Sequence, residues 1–384
     1  MTVAAILFLV SCSAVLYVLF AYPLLLKFLS ARHRQPVLRK PCTPSVTVLL
    51  PVRNGERWLR RKLQSILTLD YPRDLMQVIV ISNGSTDATM NIAREFAGEG
   101  VEVLNVPGGG KAAALNAGLT AARGEILLMT DVRQALDPPS LRNLTACFAD
   151  PAVGVASGEL IIMDGETREE ASVGLYWKYE KWIRNRLSDL DSVPGATGCI
   201  YAMRRELARP LPPFTLLDDV FLPLTAFFRG YRVIFEPSAR AYDYPTALDS
   251  EFHRKVRTLA GVYQVIGFYP QLLNPLKNRI WLHFVSHKLG RLLLPWALMT
   301  IFLSSFGLPA PWRMLVLGAQ VLFYATAALD AVVSDRSLLK RLTAPIRTFV
   351  VLMASGLWAV RILFVPASRL WGETKVQAAR SHTI

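Results

Sequence analysis

A long apolar run at the N-terminus constrains this chain more than any other feature. Residues from Val3 to Phe28 are almost continuously apolar, long enough to cross the ~30 Å hydrocarbon layer of a bilayer. Basic residues such as Arg32, Arg34 and Arg39 follow at once. A cleaved signal peptide fits poorly, because no basic region precedes the run and no small-residue cleavage site follows it. The sequence therefore predicts a transmembrane helix over 1–29, a basic linker over 30–44 and a cytoplasmic middle.

Further apolar runs fill the C-terminal third of the chain, at 284–308, 314–333 and 349–366. The short connection 309–313 predicts that the first two form a hairpin, and the basic connection after 333 is expected in the cytoplasm. The last run contains Arg361, so it is either a full span or a helix at the interface. We expect two or three transmembrane helices over 284–366, followed by a tail over 367–384, in a protein of the inner or plasma membrane.

The charge balance is strongly basic, with 43 Lys and Arg against 29 Asp and Glu. Such an excess is typical of chains that meet anionic lipid, phosphate-bearing substrates or nucleic acid. Here the basic residues border the apolar spans and do not interleave with aromatic residues over a soluble face, so nucleic acid is not expected as a partner. The four cysteines show no CxxC pattern, which predicts a reducing compartment and no structural zinc.

The polar middle alternates short apolar runs with helical patterns, which predicts an α/β domain. Its sheet is expected to be mostly parallel and Rossmann-like, with helices on both faces. Strands are predicted at 45–51, 77–82, 101–106 and 125–130, and helices at 54–69, 86–96 and 111–122. Ligands of such sheets bind at the carboxyl ends of the strands, so the loops after the strands are the places to look for chemistry.

Three of these loops carry polar signals. The loop 82–87 (SNGSTD) follows the second strand, although helix capping alone explains such a sequence. The loop 107–111 (PGGGK) lets the backbone approach an anion and adds a cation, but its spacing is not that of a Walker A loop. The segment 129–133 (MTDVR) ends a strand with a carboxylate, which can hold Mg or Mn against a diphosphate.

The order of these motifs resembles the family 2 glycosyltransferases with a GT-A fold. The likeness covers residues 45–260 and rests on an ordered set of segments: PVRNGE at 51–56, SNGSTD at 82–87, GKAAALN at 110–116, TDVR at 130–133, GATG at 195–198, LDDV at 217–220 and RKVR at 254–257. The flanking spans resemble those of membrane-embedded members, distantly those of cellulose and hyaluronan synthases.

The resemblance implies an inverting transfer from a nucleotide-sugar with the help of a divalent cation, Mg or Mn. Asp131 matches the first Asp of the family's DxD motif and is the implied metal ligand, whereas Arg133 replaces the second Asp and either contacts phosphate or faces solvent. Asn83 stands where the family often carries an Asp that binds a pyrimidine base. The implied nucleotide-sugar-binding residues are Pro51, Glu56, Asn83, Lys111, Arg133, Arg254 and Arg257.

On the acceptor side, Asp218 and Asp219 resemble the family's ED motif. Asp219 is the implied general base, and Asp218 would orient it or the acceptor; the alternative is that this acid pair only caps a helix. The implied acceptor-binding loop consists of Gly195, Ala196, Thr197 and Gly198.

Arg254 and Arg257 sit three residues apart, on one face of a helix, and resemble the QxxRW motif of processive synthases. Thr258 stands in place of the Trp, which removes an aromatic platform for an acceptor sugar and argues against a polymer synthase.

Two stretches combine aromatic residues with Lys and Arg as membrane-surface helices do, at 175–190 and 262–280. Core packing is the alternative for about half of these aromatic residues. Interfacial helices are accordingly expected over 261–283.

The main functional hypothesis is a membrane-bound transferase that moves a sugar, expected to be UDP-linked, onto a lipid-linked or growing glycan. Its expected partners are the donor, the acceptor, membrane lipid and glycan-export or assembly proteins. One alternative is a processive polysaccharide synthase. The other is a catalytically degenerate nucleotide-sugar-binding regulatory subunit.

Overall fold

The structure is a computed structural model that describes residues 2–163, 168–244, 248–334 and 337–370. The chain divides into two compact units. The sheet unit consists of Arg32–Met163 and Arg184–Asp243, and the helical unit consists of residues 1–31, 164–183 and 244–384. Most of the expected tail 367–384 lies outside the described residues.

Strands and helices alternate through the first half of the chain, and helices dominate both ends. The described strands are β1 (Val46–Val52), β2 (Met76–Asn83), β3 (Val101–Val106), β4 (Ile126–Met129), β5 (Ala135–Leu136), β6 (Val153–Ile162), β7 (Tyr201–Arg204) and β8 (Arg232–Asp243). The described α-helices are α1 (Val3–Leu16), α2 (Tyr22–Arg32), α3 (Glu56–Leu67), α4 (Thr89–Glu95), α5 (Gly110–Ala121), α6 (Ser140–Ala146), α7 (Arg168–Leu190), α8 (Asp218–Phe227), α9 (Leu248–Phe268), α10 (Trp281–His283), α11 (Gly290–Ser305), α12 (Trp312–Leu329) and α13 (Lys340–Ala359).

The described strands form one mixed sheet with the order β3-β2-β1-β4-β7-β6-β8-β5. Strands β1 to β4 are parallel, with Val46 of β1 opposite Met76 of β2 and Ile126 of β4. Strand β7 runs antiparallel to both β4 and β6, and β5 runs antiparallel to β8. The parallel part confirms the predicted strands, which end at residue 130; the reversed strands come later in the chain.

The predicted α/β alternation is confirmed over residues 45–130, where each predicted element lies within three residues of the observed one. Strands β1 and β2 are buried at nearly every position, because a parallel sheet with both faces covered favours continuous β-branched runs. Helix α3 packs on one face of this sheet through Leu59, Leu63 and Ile66, all fully buried. The carboxyl ends of β1, β2, β3 and β4 therefore emerge along one edge.

In the helical unit, three helices of the described residues are long and apolar enough to cross a membrane: Val3–Arg32, Trp312–Leu329 and Lys340–Leu363. The first consists of α1 and α2 joined through a π-helical turn at Tyr17–Ala21. The predicted run 284–308 is helical as well, but it begins with a π-helical turn at Phe284–Leu289. Helix α11 alone spans only about 24 Å at ~1.5 Å per residue.

The two π-helical turns of the helical unit face each other. The hydroxyl groups of Tyr17 and Ser286 lie 2.7 Å apart, and Tyr22 Oη lies 3.3 Å from Nδ1 of His283. A Cβ atom added to Gly290 would lie 3.0 Å from Cγ2 of Val18. The close contact favours a small residue where α11 crosses the N-terminal helix.

Candidate active site

The loops after β1 and β2 are joined by reciprocal hydrogen bonds. The backbone N–H of Glu56 donates to Asp87 Oδ2, and the N–H of Ala88 donates to Glu56 Oε2, each at a distance of 3.0 Å. Asn54 Oδ1 accepts from the N–H of Thr86 at 2.9 Å. Burial alone would raise the pKa of Asp87, but its hydrogen bonds with neighbouring hydroxyl and N–H groups hold the pKa below its ordinary value. Glu56 and Asp87 thus fix the shape of this edge.

Asn83 is the last residue of β2 and lies beside this joined pair of loops. Its side chain is buried, and Oδ1 has no hydrogen-bond partner in the part of the chain that the structure describes. Buried amide oxygens are normally paired, so an unpaired one at the end of a parallel strand is a candidate ligand contact. Pro51, also predicted to line the nucleotide site, lies half-buried near the end of β1.

Three glycines let the chain turn sharply from β3 into α5. Gly109 and Gly110 have φ angles of 98° and 80°, a region that side chains with a Cβ atom rarely adopt. Helix α5 begins at Gly110, so Lys111 lies in its first turn. The glycine loop thereby brings the Lys111 side chain to the end of β4.

The ammonium group of Lys111 bridges two carboxylates that are distant in sequence. Its Nζ lies 2.8 Å from Asp131 Oδ1 and 3.0 Å from Asp218 Oδ2. Burial alone would lower the pKa of Lys111, but the two carboxylates outweigh burial and hold the pKa above its ordinary value. Asp131 follows the end of β4 and Asp218 begins α8, so the fold places predicted donor-side and acceptor-side residues at one point.

Asp219 lies in the first turn of α8, where the helix dipole favours negative charge. The N-cap residue is Leu217, which makes no side-chain capping bond, and the Asp218 carboxylate is directed to Lys111. A Cβ atom added to Gly198 would lie 3.0 Å from Asp219 Oδ2, and the N–H of Ala196 donates to the Asp219 carbonyl at 2.7 Å. The loop 195–198 therefore lies against Asp219.

The remaining residues of this loop are anchored from behind. Thr197 Oγ1 donates to the Gly158 carbonyl at 2.7 Å, and its N–H donates to Ser157 Oγ at 2.8 Å. Gly195 has a φ of 152°, and a Cβ atom there would lie 2.8 Å from Cγ2 of Val220. The Thr197 side chain is thus turned to β6, and the backbone is the part of the loop available to a ligand.

Arg133, the residue in place of the second DxD acid, forms an ion pair with a buried carboxylate of another strand. Its Nη2 lies 2.5 Å from Oδ2 of Asp243, a carboxylate at the end of β8 with only 4% of its side chain exposed. Gln134 Nε2 donates to the same oxygen at 2.8 Å. The predicted phosphate contact of Arg133 would require it to leave this buried ion pair.

Lys62 also holds this loop in place, a role that the sequence did not predict. Its side chain is 1% exposed, and Nζ donates to Thr130 Oγ1 and to the Gln134 carbonyl, each at a distance of 2.6 Å. Its spacing is the signal that could have revealed it, because position 62 shares the apolar face of α3 with Leu59 and Ile66. Lys62 thus holds both ends of the segment that carries Asp131.

The predicted diphosphate clamp, Arg254 and Arg257, belongs to helix α9 of the helical unit. The Arg254 guanidinium lies over the Trp177 ring, 5.1 Å from its centroid, and Lys255 Nζ lies 5.3 Å from the same centroid. Helices α7 and α9 thus share a cation–π contact. The side chains of residues 165–176 lie outside the described set, including Tyr176 of the predicted interfacial helix.

Comparison with known proteins identifies the domain. The model of the family "Glycosyl transferase family 2" matches residues 47–211. The structure is similar to that of mannosyltransferase PcManGT from Pyrobaculum calidifontis, solved with GDP-Man and Mn2+, with a TM-score of 0.69 and 24% identity over 93% of this chain and 99% of that one. Residues 47–211 therefore form a family 2 glycosyltransferase domain, and the chain has the GT-A fold, which confirms the predicted family and fold.

Curated relatives agree with the family. The chain is 24% identical over 255 residues to the probable glycosyltransferase YdaM of Bacillus subtilis, which covers 62% of this chain and 60% of YdaM. It is 25% identical over 268 residues to the beta-monoglucosyldiacylglycerol synthase of Nostoc sp., over 66% of this chain and 56% of that protein. The chain thus spans less than two thirds of the length of these relatives.

Proposed function

We propose that this chain is a membrane-bound, inverting hexosyltransferase that moves a sugar from a nucleotide-sugar to a lipid-linked or growing glycan acceptor. The proposal rests on one observation: the Lys111 ammonium group binds both Asp131 and Asp218. Asp219 is the next residue after Asp218. A diphosphate leaving group and an acceptor hydroxyl require such acids and cations within reach of one sugar.

The base end of the donor is expected at Asn83. Its unpaired Oδ1 accepts hydrogen bonds, so it suits a base that presents a ring N–H, as uracil does at N3 and guanine at N1. The expected UDP-linked donor meets this requirement. A GDP-linked donor, the class named for the structurally similar mannosyltransferase, also meets it.

Asp131 offers a carboxylate that fits a divalent cation shared with a diphosphate. Asp131 already binds one cationic group, the Lys111 ammonium, and oxygen ligands suit Mg and Mn. Among the described residues, no group of three or more His, Cys, Asp or Glu side chains could hold a metal ion. Phosphate and water would have to complete the coordination. When bound, the ion would neutralise charge on the leaving diphosphate.

The protein side chains divide the remaining work. Lys111 is placed to bind diphosphate oxygens once they compete for its ammonium group. Asp219, beside the backbone of Gly198, would accept the proton of the acceptor hydroxyl as that oxygen attacks the anomeric carbon from the face opposite the diphosphate. The diphosphate-clamp role of Arg254 and Arg257 stays a prediction.

Membrane attachment and a lipid acceptor are supported by the helical unit. Three helices long and apolar enough to span a bilayer expose large apolar side chains such as Val10, Leu322 and Leu342. Soluble proteins rarely expose apolar surface on this scale. The name of the Nostoc relative specifies a glycolipid product, which supports an acceptor that lies in the membrane.

The test is transfer of radiolabelled sugar from a panel of UDP- and GDP-sugars into the lipid and glycan fractions of membranes that contain the full chain. Asp219→Asn is expected to lower transfer by about 10²–10⁴-fold, because the base is lost while the side-chain shape is kept. Asp131→Asn should also lower transfer and should weaken its dependence on Mn. The exposed Asp74 provides the matched control, and Asp74→Asn should retain full transfer. Undiminished transfer by both site variants would refute the assigned roles.

A further inference from the structure

A buried tyrosine hydroxyl lies in the acidic site without a partner. Tyr201 begins β7, pairs with Met129 of β4 and is fully buried. Its neighbour Ala202 packs into the core on the α3 face of the sheet, so the alternation of side chains directs Tyr201 to the opposite face. Within the described residues, its hydroxyl group makes no hydrogen bond.

The surroundings of this hydroxyl group make it a hydrogen-bond donor. Burial raises the pKa of Tyr201 well above its ordinary value, and the carboxylates of Asp218, Asp219 and Asp131 raise it further. The phenol therefore keeps its proton near three carboxylates that can only accept. A buried donor that has no acceptor requires an explanation, because native structures seldom leave one.

The ion pair with Lys111 explains why Asp218 does not need the Tyr201 hydroxyl as a hydrogen-bond donor. The Asp218 side chain is only 9% exposed and has its charge balanced by the Lys111 ammonium, which it shares with Asp131. A diphosphate that draws Lys111 away would leave Asp218 buried without a cation or a donor. A buried carboxylate without a partner is energetically costly. Tyr201 is the nearby group whose hydroxyl proton has no acceptor in the described part of the chain.

We propose that Tyr201 is a positioning residue that replaces Lys111 as the partner of Asp218: when Lys111 binds the diphosphate of the donor, the Tyr201 hydroxyl donates to the Asp218 carboxylate. This inference rests on the proposed function, because it requires a diphosphate at Lys111. Tyr201 thereby keeps Asp218 in place beside Asp219 during transfer.

A double-mutant cycle on the full chain in detergent tests the exchange without a ligand. Tyr201→Phe removes only the unpaired oxygen, so the midpoint of thermal unfolding should stay equal or rise. In a Lys111→Met background the Tyr201 hydroxyl should already donate to Asp218, so Tyr201→Phe should lower the midpoint of thermal unfolding there. Equal shifts in both backgrounds would overturn the proposal.

Titration calorimetry with UDP and with GDP, each with Mg2+, supplies the second readout. Tyr201→Phe should weaken nucleotide binding by about tenfold, the effect of one hydrogen bond to a charged group. The control is Tyr71→Phe: the Tyr71 hydroxyl donates to the Pro44 carbonyl at 2.6 Å, so this variant should lose thermal stability and keep nucleotide affinity. Equal affinity of wild type and Tyr201→Phe would overturn the exchange alone. Absence of binding in the wild type would overturn the proposed donor class and the exchange with it.

Discussion

At the scale of single residues, the amide of Asn83 offers a direct test of base recognition. Asn83→Ala removes the buried acceptor and should weaken binding of the preferred nucleoside diphosphate by about tenfold. Asn83→Asp keeps an acceptor at the same place and should bind within a few-fold of wild type. Calorimetry with UDP and GDP gives both values.

Methylated nucleotides provide the matching change on the ligand. UDP methylated at N3, or GDP methylated at N1, lacks the ring N–H that Asn83 is expected to bind. Wild type should discriminate against the methylated form, and Asn83→Ala should lose that discrimination. If wild type bound both forms equally, Asn83 would not contact the base edge.

Lys62 gives the folded protein a characteristic pH dependence. Burial lowers the pKa of Lys62 to about 7, whereas an unfolded lysine titrates near 10.4. Between these values the unfolded chain binds one proton more than the folded chain, so this group makes stability rise with pH from about 7 to about 10. The neutral amine still has two N–H groups for Thr130 and Gln134.

The measurement is the unfolding midpoint of wild type and Lys62→Met across pH 6.5 to 10, in one detergent. The difference between wild type and variant should grow in favour of wild type as pH rises. Arg61, a neighbouring exposed residue on α3, provides the control, and Arg61→Met should shift the curve by a constant amount. A pH-independent difference for Lys62→Met would show that the lysine titrates outside this window.

At the scale of elements, the segment after β4 is held from two sides. Lys62 of α3 binds Thr130 and the Gln134 carbonyl, and Asp243 at the end of β8 binds Arg133 and Gln134. Asp131 lies between these anchors. Arg133, which stands in place of the second DxD acid, thus fixes the loop, and Asp131 remains the proposed metal ligand of this segment.

Restoring the family acid should therefore damage the protein. Arg133→Asp would leave the Asp243 carboxylate buried opposite another acid, and breaking a buried ion pair costs about 3–5 kcal/mol. Thermal unfolding should show a large loss. Arg123 pairs with Glu102 at the surface, so Arg123→Asp should cost about 1 kcal/mol or less. Equal midpoints for Arg133→Asp and wild type would contradict the anchoring role.

At the scale of the whole molecule, the predicted topology requires α11 to cross the bilayer with its π-helical extension. The predicted hairpin puts Ala310 outside the cell and Leu338 in the cytoplasm. In a background with Cys12, Cys42, Cys147 and Cys199 replaced by serine, a membrane-impermeant maleimide should label Ala310→Cys in intact cells. Leu338→Cys should react only after permeabilisation.

Both sites are exposed in the folded chain, so access to them depends on the side of the membrane. Labelling of both positions after permeabilisation is the positive control. If Leu338→Cys reacted in intact cells and Ala310→Cys did not, the predicted orientation of α12 would be inverted, as it would be if α11 stayed on the cytoplasmic side without crossing.

Local chemistry explains how much the sequence determined by itself. Hydropathy defined the apolar ends, β-branched runs and helix periods defined the elements of 45–130, and motif order identified the family. Each of these depends on neighbours along the chain. The assignment of Asp131, Lys111 and Asp218 to roles in one transfer reaction also came from the sequence, through motifs whose order resembles the family.

The tertiary structure alone decided which partner each polar group took. Arg133 binds Asp243, 110 residues away, and Lys62 enters the core because Thr130 and Gln134 supply acceptors there. The reversed strand β7 puts Tyr201 near three acids from two segments. Burial and pairing depend on what folding brings together across long sequence separations, and no local pattern encodes which donor meets which acceptor.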